Sequence, residues 1–226
     1  DKDCIEDLRV YPTVGSQTYI DNAFSVRPKS AELLYAEVNV EAITFNKGYY
    51  TVDVTYFYKI TGETFPGANT VTGLAIFDKR VMLCGGEGTV KTFSSDICDC
   101  SCVDEGMPTA YVEAVDPIAL HLKLVDANCN VCCDNDRHDI PACILARFGE
   151  ALVTSDTGRR LYVTLGQFSI IRLERDTQLL IPAYDYCVPE KECAGGRCHD
   201  DPCEIFAQIR FPVEEFFPSN ECSTSN

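Results

Sequence analysis

Fourteen cysteines in 226 residues are the side chains whose type and spacing can do chemistry in this chain, and seven of them stand close together. Cys98, Cys100 and Cys102 alternate with Asp99 and Ser101; Cys129, Cys132 and Cys133 follow, and then Cys143. In an extended segment the period of two sets the sulfurs of Cys98, Cys100 and Cys102 on one face. They are offered to another segment rather than to one another. Cys132 and Cys133 are poorly placed to pair together, because adjacent α-carbons lie about 3.8 Å apart, short of the roughly 4.4–6.8 Å of a disulfide. The two clusters are therefore expected to cross-link to each other, to distant segments or to other chains. Cys4, Cys84, Cys187, Cys193, Cys198, Cys203 and Cys222 complete the set of cross-link candidates. Cys4 and Cys222, near the two ends, are the expected links between subunits.

Metal binding is the rival chemistry. Cys129 and Cys132 form a CxxC with Cys133 and His138 behind it, and thiolates at Cys98, Cys100 and Cys102 could add to it. A zinc site ordinarily brings a second well-spaced pair, and here the partner group is CxCxC with a cysteine left over, so disulfides are preferred and no metal is assigned. Asp134, Asp136 and Asp139 lack the central glycine and terminal glutamate of a calcium loop, and the same reading applies to His199, Asp200 and Asp201. Both are taken as solvated acidic loops. A catalytic role finds no support, because there is no Gly-x-Ser-x-Gly elbow, His-Glu-x-x-His pair or phosphate loop. Gly85-Gly86-Glu87-Gly88 leads toward a strand-like run, not a helix, and reads as a turn. No catalytic residue and no cofactor is expected.

A chain of this length can bury about 70% of its unfolded surface unaided, and this one is 46% hydrophobic. The cysteines thus exceed what folding requires, which points to chemical and thermal toughness as the property they serve. A net charge of −16 and a pI near 4.5 argue against nucleic acid and anionic membrane as partners. No apolar run reaches the roughly 18 residues of a membrane span, and the residues from Asp1 onward carry no signal-peptide pattern, which is equally expected of a chain whose leader is removed or not included. An oxidising, extracellular destination is inferred from cysteine usage.

The elements that must position these thiols read as mainly β, either an antiparallel sandwich or two related β modules with a cysteine-rich insertion and short C-terminal helices. Residues 1–32 read as an N-terminal arm with a turn at Val14-Gly15-Ser16. Residues 33–97 form a first β module. In it Leu34, Ala36, Val38, Val40 and Ala42 alternate with polar positions, and Tyr50, Val52, Val54, Tyr56, Tyr58 and Ile60 line one face of a second strand, the two joined at Asn46-Lys47-Gly48. Val71 to Cys84 is one bent strand or a hairpin over Asp78-Lys79-Arg80. Residues 98–143 are the insertion, with one strand placing Ile118, Leu120, Leu122 and Leu124 opposite His121 and Lys123. Residues 144–226 form a second module, with a hairpin of 144–153 and 161–173, a strand near 179–183, and short helices after Pro202 and around Val213. The order hairpin, strand, cysteine in both halves suggests a duplication.

Val52-Asp53-Val54-Thr55-Tyr56-Phe57-Tyr58-Lys59, Gly73-Leu74-Ala75-Ile76-Phe77-Asp78-Lys79-Arg80 and Ala183-Tyr184-Asp185-Tyr186-Cys187-Val188-Pro189-Glu190, together with the cysteine clusters, resemble cysteine-rich clostridial spore-surface proteins of the exosporium or spore coat. The resemblance implies a structural subunit that assembles with copies of itself into a crystalline, chemically tough layer. It also implies synthesis in a reducing mother cell and cross-linking once oxidation follows. The partner it implies is the chain itself, in a homo-oligomer or two-dimensional lattice, with no nucleic acid and no membrane insertion. Two alternatives compete: a secreted, adhesin-like binding module, and a metal-binding cysteine-rich protein.

Overall fold

A computed structural model describes residues 1–87, 106–126, 140–155 and 158–176. The contacts divide the chain into two units, described separately below. The first holds Asp1–Glu41, Tyr50–Leu83 and Thr109–Glu174. Its elements in order are β1 (Lys2–Pro12), α1 (Val14–Asn22), β2 (Ser25–Ala42), β3 (Tyr49–Phe65), β4 (Thr70–Cys84), β5 (Thr109–Ala114), β6 (Ile118–Val125), α2 (Ala142–Leu145) and β7 (Arg160–Glu174). The mainly β expectation holds, in the form of one seven-stranded sheet ordered β2-β3-β4-β1-β7-β5, with β6 also paired to β7.

Side-chain alternation explains the longest strands. On β3, Val52, Val54, Tyr56, Tyr58 and Ile60 are buried with Tyr50, while Thr51, Asp53, Thr55 and Lys59 are half-buried. Ala36, Val38 and Val40 of β2 face the same core with Leu33, whereas Leu34, expected on that face, packs on the opposite side with Phe57. β2 and β3 are neighbours in the sheet and make the expected hairpin, with Gly48 supplying a positive φ of 79° in its turn. β4 is one continuous strand, since Asp78 and Arg80 point outward to bond Thr55 and Asp53 on β3 and no break is needed.

The sheet curls on itself. A side chain on Gly62 of β3 would come within 2.7 Å of Leu122 on β6 and 3.0 Å of Val26 on β2, and Asp116, between β5 and β6, accepts a 2.9 Å bond from the Leu33 amide of β2. The strands at opposite ends of the order therefore approach across the core, in a barrel-like closure. Inside lie Ile5, Val10, Ile20, Val71, Leu122, Leu161, Val163 and Leu165 with the β3 residues, and Tyr56 stacks on Tyr58 at 6.0 Å. A smaller cluster on the other face of β3 and β4 joins Phe57, Leu74 and Ile76 to Ile144 of α2.

Three expectations are corrected. Residues 1–32 are not an arm. Lys2–Pro12 sits between β4 and β7, because Ile5, Leu8 and Val10 supply an apolar inner face. The Val14-Gly15-Ser16 turn is instead the first turn of α1, where the Thr13 side chain caps the helix by accepting from the Ser16 amide. The hairpin partner expected over 144–153 is also absent. Pro141 precedes a short helix, and only Leu152 makes a bridge, to Thr13. Ala142-Cys143-Ile144-Leu145-Ala146 is rich in helix formers and lacks the β-branched alternation of a strand. The echo between the two halves accordingly does not extend to their elements. The strand near 179–183 and the helices after Pro202 lie outside the described residues.

The described part of the second unit is small and centred on Arg175. Its guanidinium donates to the carbonyls of Gly85 at 2.9 Å and Gly86 at 3.2 Å, and also to that of Gly106. The planar fork of an arginine suits several carbonyls at once, and the glycines let the backbone come close to it.

Candidate functional site

Of the cross-link candidates, three lie among the described residues. Cys84, the last residue of β4, is disulfide-bonded. Cys4 on β1 and Cys143 on α2 are free and exposed, so neither is its partner. Cys98, Cys100, Cys102, Cys129, Cys132, Cys133, Cys187, Cys193, Cys198, Cys203 and Cys222 lie outside the described residues, as do His138, His199 and the acidic loops weighed for calcium. Among the described residues no cluster of His, Cys, Asp or Glu could hold a metal, and no helix is long and apolar enough to cross a membrane. His121 is on a strand, as expected, and exposed.

Cys4 stands on a particular surface. Pairing sets Lys2 beside Phe168 and Cys4 beside Gly166 across β1 and β7, while Ile118 of β6 flanks Gly166 on the other side. Leu161, Val163, Leu165, Gln167 and Ser169 of β7 point inward and are buried, so Gly166, Phe168 and Ile170 point outward by the period of two. Ile118, Leu120, Phe168 and Ile170 are 55, 52, 44 and 58% exposed. That is a contiguous apolar patch, with a free thiol beside it and a glycine in its floor.

The patch was hidden from the sequence by a β-bulge. Strict alternation places Ile118, Leu120, Leu122 and Leu124 on one face. Against β7, however, the register slips between Ala119 and His121. Leu120 is the extra residue, and the slip turns Ile118 and Leu120 outward while Ala119, Leu122 and Leu124 pack on the core. A second slip, between Ile5 and Leu8 of β1, leaves Glu6 and Asp7 exposed, with Asp7 at a φ of 48°. Lys2, Cys4 and Glu6 are all exposed on β1, whereas Ile5 is buried.

An ion-pair cluster borders the patch on one side. Arg172 on β7 bonds Glu113 of β5 at 2.6 Å and Glu174 at 2.5 Å and lies over the Tyr111 ring; these partners raise its pKa further, Glu113 foremost. On the inward side of β1, Lys79 joins Asp3 at 2.6 Å and Asp1 at 3.0 Å. Lys2 lies over the Phe168 ring, 6.0 Å from its centre. Among the described residues the arrangement is an exposed apolar face beside a free, exposed thiol.

A stretch of 61 residues is 41% identical to Exosporium protein A of Clostridium sporogenes (strain ATCC 15579), covering 27% of this chain and 18% of that protein. The match thus spans less than a fifth of its relative's length. No family model matches the chain, and no solved structure matches it. The chain is similar over that stretch to a protein named for the exosporium.

Proposed function

We propose that this chain is a structural subunit of the spore surface, one that assembles with copies of itself into a layer stabilised by disulfides and performs no catalysis. The similarity to Exosporium protein A carries the reading. Physical features support it. The sheet has a well-filled core of its own, which leaves most of the 14 cysteines as surplus to folding, and Cys84 is already engaged in a disulfide while Cys4 and Cys143 stand free on the surface. Symmetric noncovalent contacts would set the subunits in register, and thiol oxidation would then fix them.

Electron microscopy of the purified, oxidised chain, paired with gels run with and without reductant, tests this directly. The expected result is sheets or rings, together with a ladder of oligomers that collapses on reduction. A stable monomer in the oxidised state overturns the proposal and favours an adhesin-like binding module. Stoichiometric zinc or copper on reduced thiols overturns it in favour of a metal-binding protein.

A further inference from the structure

We propose that the outward face of β1, β7 and β6 is a two-fold interface with a second copy of this chain, in which Lys2 of each copy meets Glu6 of the other and the two Cys4 thiols meet at the axis. The inference deepens the layer reading and rests on it.

The argument begins with order along one strand. Lys2, Cys4 and Glu6 are exposed at every second position of β1, a cation, a thiol and an anion in a row. When two such rows face each other antiparallel about an axis through Cys4, each lysine lies opposite a glutamate and the thiols lie opposite each other. A two-fold interface must be self-complementary in this way, and a parallel arrangement would set like charges together.

Shape agrees with charge. Sheets packed through large side chains stand about 10 Å apart, farther than the roughly 4.4–6.8 Å between α-carbons of a disulfide, so thiols can join across such a face only where neighbouring bulk is missing. Beside Cys4 the bulk is missing, because its ladder partner is Gly166. Ile118, Leu120, Phe168 and Ile170 supply the apolar contact around it. That contact is on the order of 400 Å² per copy, about half the roughly 800 Å² per partner of a stable interface. Noncovalent pairing alone is thus weak, and a covalent link at the axis makes it lasting.

The link forms by exchange with a small-molecule disulfide such as glutathione disulfide. The Cys4 thiolate of one copy attacks it, releasing one glutathione thiol and leaving a mixed disulfide. The Cys4 thiolate of the second copy then displaces the remaining glutathione. Two protein thiols enter, one disulfide bond forms between them, and the two electrons reduce one glutathione disulfide to two thiols.

The test is the rate at which the reduced, full-length chain gives the Cys4–Cys4 peptide in glutathione disulfide, followed by mass spectrometry. A disulfide between two copies of one residue cannot arise within a chain. Lys2→Glu and Glu6→Lys are each expected to slow its formation roughly tenfold, since either places like charges opposite at both ends of the axis. The double variant Lys2→Glu/Glu6→Lys restores complementarity and is expected to return the rate to within about twofold of the parent. A double variant as slow as the single ones overturns the proposal. So does Cys143, equally free and exposed, coupling to its own copy as fast as Cys4. If Cys4 ends only as a mixed disulfide with glutathione, this interface is wrong. An oligomer ladder through other cysteines would then leave the layer reading standing, whereas no oligomer under any condition removes both.

Discussion

The hydroxyls of Tyr56 and Tyr58 lie in the core with no hydrogen-bond partner among the described residues, an arrangement that costs stability because each group gave up water and received nothing in return. Tyr58 shows the consequence in its ionisation. Burial raises its pKa well above the usual tyrosine value of about 10, and the neighbouring Tyr56 and then Asp3 push in the same direction. A group whose folded pKa is raised holds its proton longer in the folded state, so its stabilising share is complete below about pH 10 and is lost as the pH climbs beyond. Tyr58→Phe removes both the unpaired hydroxyl and this titration. Denaturant unfolding should find the variant about 1 kcal/mol more stable near neutrality, with a smaller loss of stability as the pH passes about 10. A variant less stable than the parent at both pH values would mean that the hydroxyl has a partner after all.

At the scale of elements, what the sequence made legible was alternation, and what it hid was the position where alternation slips. β3 was readable because six apolar positions from Tyr50 to Ile60 repeat every second residue, and the β2–β3 turn was readable from Asn46-Lys47-Gly48. β1 was missed because its inner face is short and its register is interrupted before Leu8. The strand expected over 144–153 fails at its start, because Ile144 and Leu145 end the short helix α2 and adjacent apolar residues carry no period of either kind. The outward patch was missed for a sharper reason: one extra residue in β6 reverses the faces of everything before it, and no local composition announces a bulge. The thiols themselves were plain to see, but which of them stand free is set by pairing in three dimensions. The bulge yields its own prediction. Deleting Leu120 leaves Ile118, Ala119 and His121 opposite Gly166, Leu165 and Thr164 in an unbroken ladder, with every remaining side chain on its present face. Urea unfolding should place that deletion within about 1 kcal/mol of the parent, whereas deleting Leu122, buried on the core side, should cost several times more. Equal costs would show that the register assignment is wrong.

For the whole molecule the deciding quantity is charge. With 35 acidic and 19 basic side chains, copies of this chain repel one another at a distance, and the proposed contact through the patch on β1, β7 and β6 has to overcome that repulsion. Two bodies of this net charge with centres on the order of 40 Å apart oppose each other by about 7 kcal/mol at 0.01 M salt, where the screening length is about 30 Å; near 0.15 M, where it is about 8 Å, the opposition falls below about 1 kcal/mol. The proposed Lys2–Glu6 pairs would be screened by the same salt, but an exposed ion pair is worth at most about 1 kcal/mol, and burial of Ile118, Leu120, Phe168 and Ile170 would not be screened at all. Repulsion is the larger of the two salt-sensitive effects. Self-association of the reduced chain, followed by sedimentation, is therefore expected to strengthen as salt rises from about 0.01 M to about 0.15 M, and to strengthen again as the pH falls toward the pI near 4.5. An association that weakens steadily over the same salt range would mean that ion pairs, not the apolar face, hold the copies together, and would turn the search for the contact toward the acidic segments.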